Sequence, residues 1–511
     1  MPWKFMAVVL ALGLAGCGGG GGDGGSDGWT PGLFLPSSTY RAQCAAPRSD
    51  TNPITGRPWP DVQGSTLDEN NWLRSWSNAL YLWYDEIEDR DPALYETLDY
   101  FDLLKTFETT PSGAQKDQFH FVFPTDEYLE QSQSGVGVGY GAAWAIVAAS
   151  PPREIVVAYT QPQAEWPVVA AGVARGARLI SVDGVDVATG SAAAINAGLF
   201  PEAEGERHEF TIQDAGSAST RTVTLEAVKA ESAPVQNVAV TNTPLGPVGY
   251  LLFTDHIATA ESALVDAIGQ LRDAGVTDLV LDIRYNGGGR LHIASEVAFM
   301  IAGVVPTAGR TFERLEFNDK HPTTDPVTGR PLEPMPFHST TQGFSVDRGA
   351  PLPALDLPRV FVLTGSSTCS ASESIMNGLR GVDVEVIQIG ATTCGKPYGF
   401  YEFDNCGTTY FSIQFRGVND KGFGDYADGF TPQNSAVASA VALPGCAVPD
   451  DFTRALGDTE EARFAAALAY REGLGCPPVE AAAGAAKPGR PPGVDARVHK
   501  GPWLENRIMT R

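Results

Sequence analysis

The sequence predicts a multidomain α/β (α+β) protein whose core is a mixed sheet flanked by helices. Two near-continuous apolar runs, Asp278–Arg284 and Arg359–Leu363, are typical of strands buried on both faces. Helix-forming segments, Ala260–Ala274 and Ala371–Arg380, alternate with these strands, and this alternation implies βαβ crossovers. A length of 511 residues leaves room for two or three domains.

A helical N-terminal region is predicted over residues 67–132. Trp72, Trp76 and Leu80 recur at four-residue intervals, as expected of an amphipathic helix. The tryptophans either pack in a core or line a binding groove. Core packing is the simpler interpretation.

Residues 133–232 differ in composition and periodicity from the helical region and predict a small β-rich domain. They begin with the alternating run Gly135–Gly139 and continue with short β-prone segments such as Ile155–Tyr159. From Pro167 to Gly184 the order is a small-residue helix, a glycine turn, a strand and an Asp-Gly hairpin turn. A structural β-module that binds no ligand is the alternative interpretation.

The N-terminus predicts an exported, lipid-anchored protein. Lys4 precedes the apolar stretch Ala7–Leu14, which is too short to span a bilayer as a mature helix. The stretch ends in Leu14-Ala15-Gly16-Cys17, which resembles a bacterial lipobox with Cys17 as the lipidated residue. An ordinary cleaved signal is the alternative. We therefore expect a signal peptide over 1–17, a Gly/Pro-rich tether over 18–66, and a lipid anchor in the bacterial cell envelope, on the periplasmic side or the outer membrane.

Charge and cysteine content limit the partners and cofactors. A formal net charge of −25 disfavours nucleic acid and anionic lipid headgroups, because both would be repelled. Six cysteines remain without Cys17, and outside the cytoplasm they can pair in 15 ways. Among the pairings, Cys394 with Cys406 would staple a hairpin, and Cys446 with Cys476 would hold a C-terminal helix. There is no CxxC pair, so no zinc site and no other cofactor is expected.

Ser370 is the first candidate for chemistry, because it stands where an apolar strand passes into a helix. The free N–H groups and positive dipole at a helix N-terminus favour a developing oxyanion, and the N–H of Ala371 is a natural donor. The alternative is structural, since Ser370 and Glu373 also form the pattern of a plain capping box. Cys369, beside Ser370, is expected to be buried or bridged rather than a nucleophile.

Two further elements complete the predicted constellation. Gly287-Gly288-Gly289 follows a buried strand and lets backbone N–H groups face a ligand, with Gly288 as the candidate second oxyanion donor. A phosphate loop would look similar, but the GxxxxGK[ST] spacing is missing. Lys396 follows Ser370 after 26 residues (396 − 370) among uncharged neighbours. To act as a base its pKa must fall from about 10.4 toward about 7–8 through burial. A surface lysine is the alternative.

Together these motifs resemble the carboxyl-terminal processing peptidases, or tail-specific proteases, over about residues 67–475. The resemblance implies a PDZ domain over 133–232, inserted before a crotonase-like catalytic core over 233–476, and a disordered tail over 477–511. It makes Ser370 the nucleophile and Lys396 the general base, with the N–H groups of Ala371 and Gly288 as the oxyanion hole. The expected activity is a serine endopeptidase that cleaves proteins or peptides near their C-termini and binds them through the PDZ domain.

One departure from the family pattern leaves other functions open. Four residues after the lysine, family members carry a glutamine that orients the amine, and this chain has Phe400. Tyr398 is one candidate substitute. A catalytically silent protein that binds peptides or hydrophobic ligands is the alternative function. A third is a tricorn-like peptidase in which His256, His292 or His338 is the base. Substrate identity and oligomeric state are not predicted.

Overall fold

The computed structural model describes residues 29–478 and the backbone of residues 497–498 and 507–508. The predicted signal peptide, Cys17, residues 18–28 of the tether and most of the tail lie outside the described residues. Within the described part, none of the helices has the length and apolar character needed to span a membrane.

The N-terminal region is helical and packs on the core through aromatic side chains. Trp72 and Trp76 stack with their ring centroids 5.3 Å apart, and each is only 2% exposed. Tyr410 of the core contacts both rings. The tryptophans therefore pack in a core and do not line an open groove. The regular elements are β1 (Gln43–Cys44), β2 (Val62–Gln63), α1 (Thr66–Leu80), α2 (Thr97–Leu103), β3 (Phe121–Pro124) and α3 (Thr125–Ser134).

A small β-rich domain follows, with its own apolar core. The elements are β4 (Val136–Gly139), β5 (Ala142–Ala148), β6 (Glu154–Thr160), α4 (Pro167–Ala170), β7 (Arg178–Val182), β8 (Val185–Asp186), α5 (Ala192–Leu199), β9 (Arg207–Gln213), β10 (Arg221–Glu226) and β11 (Val228–Glu231). The main sheet has the antiparallel order β10-β9-β7-β6-β5. Asp183 and Gly184 both have positive φ, which suits the tight hairpin turn predicted there. The helix predicted after Pro167 is only four residues long, since α4 ends at Ala170.

The core contains a six-stranded mixed sheet, which confirms the predicted fold class. Its order is β12-β13-β14-β18-β19-β26, with the first pair antiparallel and the others parallel. The elements are β12 (Val235–Thr243), β13 (Gly246–Phe253), α6 (Ala260–Asp273), β14 (Asp278–Asp282), β15 (Gly289–Arg290), α7 (Leu291–Ala302), α8 (Val304–Thr307), β16 (Thr311–Phe317), β17 (Met335–Pro336), β18 (Arg359–Thr364), α9 (Ala371–Gly381), β19 (Glu385–Gly390), β20 (Tyr398–Gly399), β21 (Phe403–Asn405), β22 (Thr408–Phe411), β23 (Phe415–Val418), β24 (Phe430–Pro432), β25 (Val441–Leu443), β26 (Gly445–Ala447) and α10 (Ala462–Arg471).

Both faces of this sheet are covered, as the unbroken apolar strands predict. Alternate residues of β14 point to opposite faces: Leu279 and Leu281 join the cluster that contains α6, α7 and α9. Val280 joins the other cluster, which contains α10. The carboxyl ends of β14 and β18 are neighbours in the sheet. The loops that leave these strands, which carry the glycine run and Ser370, are therefore brought together.

The C-terminal helix α10 begins at Ala462. Its N-cap is Glu461, whose side chain accepts the N–H of Phe464 at 3.1 Å. The long connection between α8 and β18 contains strand β16, which pairs with β23.

Three disulfides join the six described cysteines. The disulfide Cys446–Cys476, one of the two pairings singled out from the sequence, is present. The hairpin pairing of Cys394 with Cys406 is wrong, because Cys406 is bonded to Cys44 in the N-terminal region and Cys394 to Cys369. The β21–β22 hairpin lies against β3 of the N-terminal region, and Cys406 lies in its turn, away from the loop that holds Cys394.

Beyond residue 478, the described part of the tail consists of two short strands. β27 (Arg497–Val498) pairs antiparallel with β5, and β28 (Arg507–Ile508) pairs parallel with β15. At these four residues the structure differs from the predicted disorder, because each backbone adds to an existing strand.

Candidate active site

Ser370 lies in a strained turn between β18 and α9. It is completely buried, with φ of +58° and ψ of −115°. An ordinary N-cap residue has extended backbone angles, whereas a non-glycine residue at this φ and ψ costs about 1–3 kcal/mol. Nucleophilic serines of other hydrolases are presented on such strained strand-to-helix turns. The backbone of Ser370 therefore differs from that of a plain helix cap.

Ala371, the other predicted residue of this turn, is the first residue of α9. N–H groups of the first helical turn have no acceptor within the helix, and the positive end of the helix dipole lies at the same place. The N–H of Ala371 is suited to bind an oxyanion at Ser370.

Asn286 organises the glycine loop and ties it to the serine turn. Its carbonyl oxygen accepts the N–H of Cys369 at 3.1 Å and the hydroxyl of Ser372 at 3.0 Å. Its side-chain oxygen accepts the N–H of Gly288 at 3.0 Å and lies 3.0 Å from Nδ1 of His256. The predicted donor Gly288 is thus bonded to Asn286 in this structure. Sequence reasoning missed Asn286, although it directly precedes the glycines.

Lys396 is buried between aromatic rings, so it is not a surface lysine. Its side chain is inaccessible, with Nζ 4.3 Å from the ring centroid of Phe119 and 4.8 Å from that of Phe400. Phe400, at the position of the family's glutamine, thus offers the amine a ring face and no hydrogen-bond acceptor. Tyr398 packs edge-on against Trp83, and burial raises the pKa of its phenol to about 12. Phe119 was not predicted from the sequence.

Glu373 binds the backbone on both sides of the candidate dyad. Its Oε2 accepts the N–H of Ser370 at 2.9 Å and that of Lys396 at 2.8 Å. Its Oε1 accepts the N–H of Gly395 at 2.9 Å and the hydroxyl of Thr393 at 2.5 Å. Burial raises the pKa of the Glu373 carboxyl, and these four hydrogen bonds oppose that rise. The sequence indicated only a capping role, so the link to the lysine loop is new.

A disulfide makes a second tie between the same two loops. Cys369 precedes Ser370, Cys394 lies two residues before Lys396, and their Cα atoms are 5.2 Å apart. Cys369 is therefore bridged, as expected, and has no thiol with which to attack a substrate. Among the described residues, Cys369 with Glu373 and Cys394, and Cys44 with Glu69 and Cys406, are spaced like metal ligands. In both clusters the cysteines are bridged, and metal binding needs thiolates.

The glycine loop is also tied to the small domain by a buried ionic network. Tyr285 donates its hydroxyl hydrogen bond to Asp450. Arg175 of the small domain donates to the Tyr285 oxygen at 2.6 Å and to Asp450 at 2.5 Å. Arg284 bonds Asp450 at 2.8 Å and Glu461 at 2.8 and 2.9 Å. Although burial opposes ionisation, Arg175 and the other arginines around it hold the pKa of Asp450 below its usual range.

Replacing Arg175 by methionine should lower kcat/KM for a peptide substrate by about tenfold, since Tyr285 and Asp450 would lose their tie to the small domain. Breaking a buried ion pair costs about 3–5 kcal/mol, so unfolding of the small domain should also shift to lower denaturant. Steady-state kinetics with chemical denaturation measures both. Arg178→Met, at a partly exposed strand residue that bonds Gln213, is the matched control. Equal kinetics for the two variants would contradict a link between domain contact and site.

The three candidate histidines occupy packed positions. His256 contacts the glycine loop through Asn286. His292 and His338 stack with their ring centroids 5.3 Å apart. Burial lowers the pKa of His292 to about 3 and that of His338 to about 4, so both rings are neutral near pH 7.

Comparisons with known proteins give one family match and several similar solved structures. Residues 247–402, which include the glycine loop, Ser370 and Lys396, match peptidase family S41. A solved structure assigned to the S41 proteases, from Bacteroides fragilis, is similar with a TM-score of 0.57 and 20% identity over 81% of this chain and 99% of that chain. The photosystem II D1 C-terminal processing protease aligns with a TM-score of 0.43 and 20% identity, over 79% of this chain and 100% of that chain. None of the curated proteins matches the chain. The family match confirms what the sequence motifs implied: the chain carries a peptidase family S41 domain and is a serine-type peptidase.

Proposed function

We propose that the chain is an endopeptidase of the bacterial cell envelope in which Ser370 and Lys396 form the catalytic dyad. Neutral Lys396 takes the proton of Ser370 as its Oγ attacks a peptide carbonyl. The protonated amine then gives that proton to the leaving nitrogen, and the C–N bond breaks. Water, deprotonated by Lys396, attacks the acyl-enzyme and releases the new C-terminus.

The observation that carries the proposal is the position of Glu373. One carboxylate binds the backbone N–H groups of both Ser370 and Lys396. The turn that carries the serine and the loop that carries the lysine are therefore held next to each other. Complete burial of Lys396 removes the water that would stabilise its ammonium form, and a neutral amine is the form that can accept a proton.

The oxyanion hole is assigned to the N–H groups of Ala371 and Gly288. The N–H of Ala371 lies in the first turn of α9 and has no acceptor within that helix, whereas the N–H of Gly288 is bonded to the side chain of Asn286. Substrate binding must therefore exchange the Asn286 oxygen for the oxyanion at Gly288. Each backbone donor in such a hole is worth about 10²–10³ in kcat.

We assign peptide binding to a PDZ domain over residues 133–232. Within residues 29–478, strand β5 lies at the edge of the main sheet. Extended peptides bind such edges by adding a strand. This supports cleavage near the C-termini of substrates. The lipobox-like sequence at Cys17 supports a lipid anchor.

A second candidate function is a ligand-binding protein without catalysis. It is favoured by one observation, the ring of Phe400 beside the lysine amine where the family pattern places a glutamine. An aromatic ring face attracts a cation, and that favours the inactive ammonium form.

Labelling with a serine-reactive fluorophosphonate separates the two. We expect the probe to modify Ser370, as located by peptide mass spectrometry, together with hydrolysis of an unstructured protein substrate. Ser370→Ala should abolish both while the protein stays folded by circular dichroism. Ser366→Ala, in the same turn, is the matched control and should keep both. A folded protein that shows neither labelling nor hydrolysis, yet binds peptides, would support the ligand-binding function.

A further inference from the structure

The two described strands of the tail lie on peptide-binding elements of the proposed enzyme. β27 adds antiparallel to β5, with Arg497 opposite Ile146 and Val498 opposite Ala145. β5 is the strand to which we assign peptide binding. The tail therefore occupies by main-chain pairing the edge that a substrate would use.

The second strand lies at the catalytic loops. β28 pairs with Gly289 and Arg290, directly after the candidate oxyanion donor Gly288. Its Cα atoms also come within 8 Å of those of β20, which begins two residues after Lys396. The backbone of residues 507–508 is thus bordered by both catalytic loops. A substrate strand entering the site would have to displace it.

The charge of this segment is opposite to that of the rest of the chain. Residues 497–511 contain four basic residues (Arg497, Lys500, Arg507 and Arg511) and one acidic residue (Glu505), which gives +3. Since the whole chain carries −25, the remainder carries −28 (−25 − 3). A basic segment is attracted to an acidic body at low salt, and the attraction weakens as the Debye length falls to about 10 Å at 0.1 M.

The tether length is compatible with binding in the same molecule. Residue 497 follows Pro478 by 19 residues (497 − 478), a length of chain that can span at most about 65 Å. Linkers of about this length give effective concentrations of the order of 1 mM. At that effective concentration, even a segment with a dissociation constant of about 100 µM would be bound in about ten of every eleven molecules.

We propose that the tail, through residues 497–498 and 507–508, is a tethered inhibitor that blocks substrate binding at β5 and at the catalytic loops of the same chain. The segment competes with substrate at β5 and between the glycine and lysine loops. The claim that the tail inhibits a peptidase rests on the proposed function, whereas the claim that the tail binds at these strands does not. Removing it should raise kcat/KM about tenfold, mainly through KM.

The binding test uses catalytically dead proteins, so that it does not depend on peptidase activity. Ser370→Ala is made in the full chain and in a chain that ends at Pro478, which keeps the Cys446–Cys476 disulfide. The probe is a fluorescent, end-capped peptide of residues 495–510, with a scrambled peptide as control. By anisotropy we expect the probe to bind the shortened protein at least tenfold more tightly than the full chain, with the difference shrinking in 0.5 M salt. Equal binding to both proteins, or no binding to the shortened one, would overturn the proposal.

Point variants of the active chain provide a second readout without shortening it. Val498→Pro and Ile508→Pro each remove a backbone N–H from a tail strand, and together they should reproduce the effect of truncation on KM. Ala485→Pro, elsewhere in the tail, should leave KM unchanged. If none of the active forms hydrolyses substrate while the probe still distinguishes the two dead proteins, the inhibitor proposal stands and the proposed function fails. A KM that rises on truncation would contradict competition by the tail.

Discussion

Replacing Lys396 by methionine should lower kcat/KM by about 10³-fold without lowering stability. A positioned general base contributes about 10²–10⁴ to a rate, and methionine has no proton acceptor of comparable strength. Its unbranched side chain has nearly the length of the lysine stem and makes favourable contacts with rings such as those of Phe119 and Phe400. Removing a buried amine also removes the cost of keeping it from water. Kinetics on a peptide substrate, together with thermal unfolding, measures both effects.

The matched control is Lys421→Met. Lys421 belongs to the same core, but it is half-exposed and pairs with the exposed carboxylate of Asp383. Exposed ion pairs contribute about 0–1 kcal/mol, so this variant should keep full activity and nearly full stability. Should Lys396→Met remain active while substitution of His256, His292 or His338 abolishes hydrolysis, a histidine base would replace the proposed dyad.

The part of the site that follows from local sequence was predictable. β14, β18 and α9 were expected because their apolar runs specify buried strands and a helix start within a few residues. Parallel neighbours in one sheet end at the same edge, so the glycine loop and Ser370 had to come together once these strands were recognised. The burial of Lys396 also agrees with its uncharged neighbours.

Long-range contacts explain what could not be predicted. The Cys44–Cys406 disulfide joins residues 362 positions apart, and nothing local distinguishes it from the hairpin pairing of Cys394 with Cys406. Phe119 reaches the lysine from the N-terminal region, and its sequence context indicates no such role. The turn that holds Ser370 at positive φ is bonded to Asn286 through Cys369 and Ser372, a contact that only the folded chain supplies. The two strands of the tail likewise need partners that local composition does not reveal.

Replacing Glu373 by alanine should have the second large effect, a loss of about 4 kcal/mol in the free energy of unfolding with a fall of kcat by at least about 10²-fold. Four buried donors would lose their acceptor, and each unsatisfied buried group costs about 1–3 kcal/mol before relaxation or entering water compensates part of it. Domains have only about 5–15 kcal/mol of net stability, so the loss is severe but measurable. Denaturant unfolding followed by tryptophan fluorescence measures it.

The Cys369–Cys394 disulfide should keep this variant folded. It closes a loop of 25 residues, and a link of that length is worth about 3.5 kcal/mol in the denatured-state entropy model. The two loops then stay connected while the backbone of Ser370 and Lys396 is no longer held by one carboxylate. Glu385→Ala, at an exposed position on β19, is the control and should cost less than about 0.5 kcal/mol.

The separate effects of Glu373→Ala on kcat and on KM distinguish a residue that positions the dyad from one that only stabilises the fold. Substrate contacts assigned to β5 and the small domain do not involve Glu373, so KM should change little while kcat falls. Glu373→Gln should be intermediate in stability, because its amide keeps one acceptor oxygen but turns an NH₂ group toward two of the donors. A Glu373→Ala protein with unchanged kcat would show that the disulfide and the glycine loop alone position the dyad. If kcat and KM changed together with a loss of native fluorescence, Glu373 would be a structural residue rather than a positioning one.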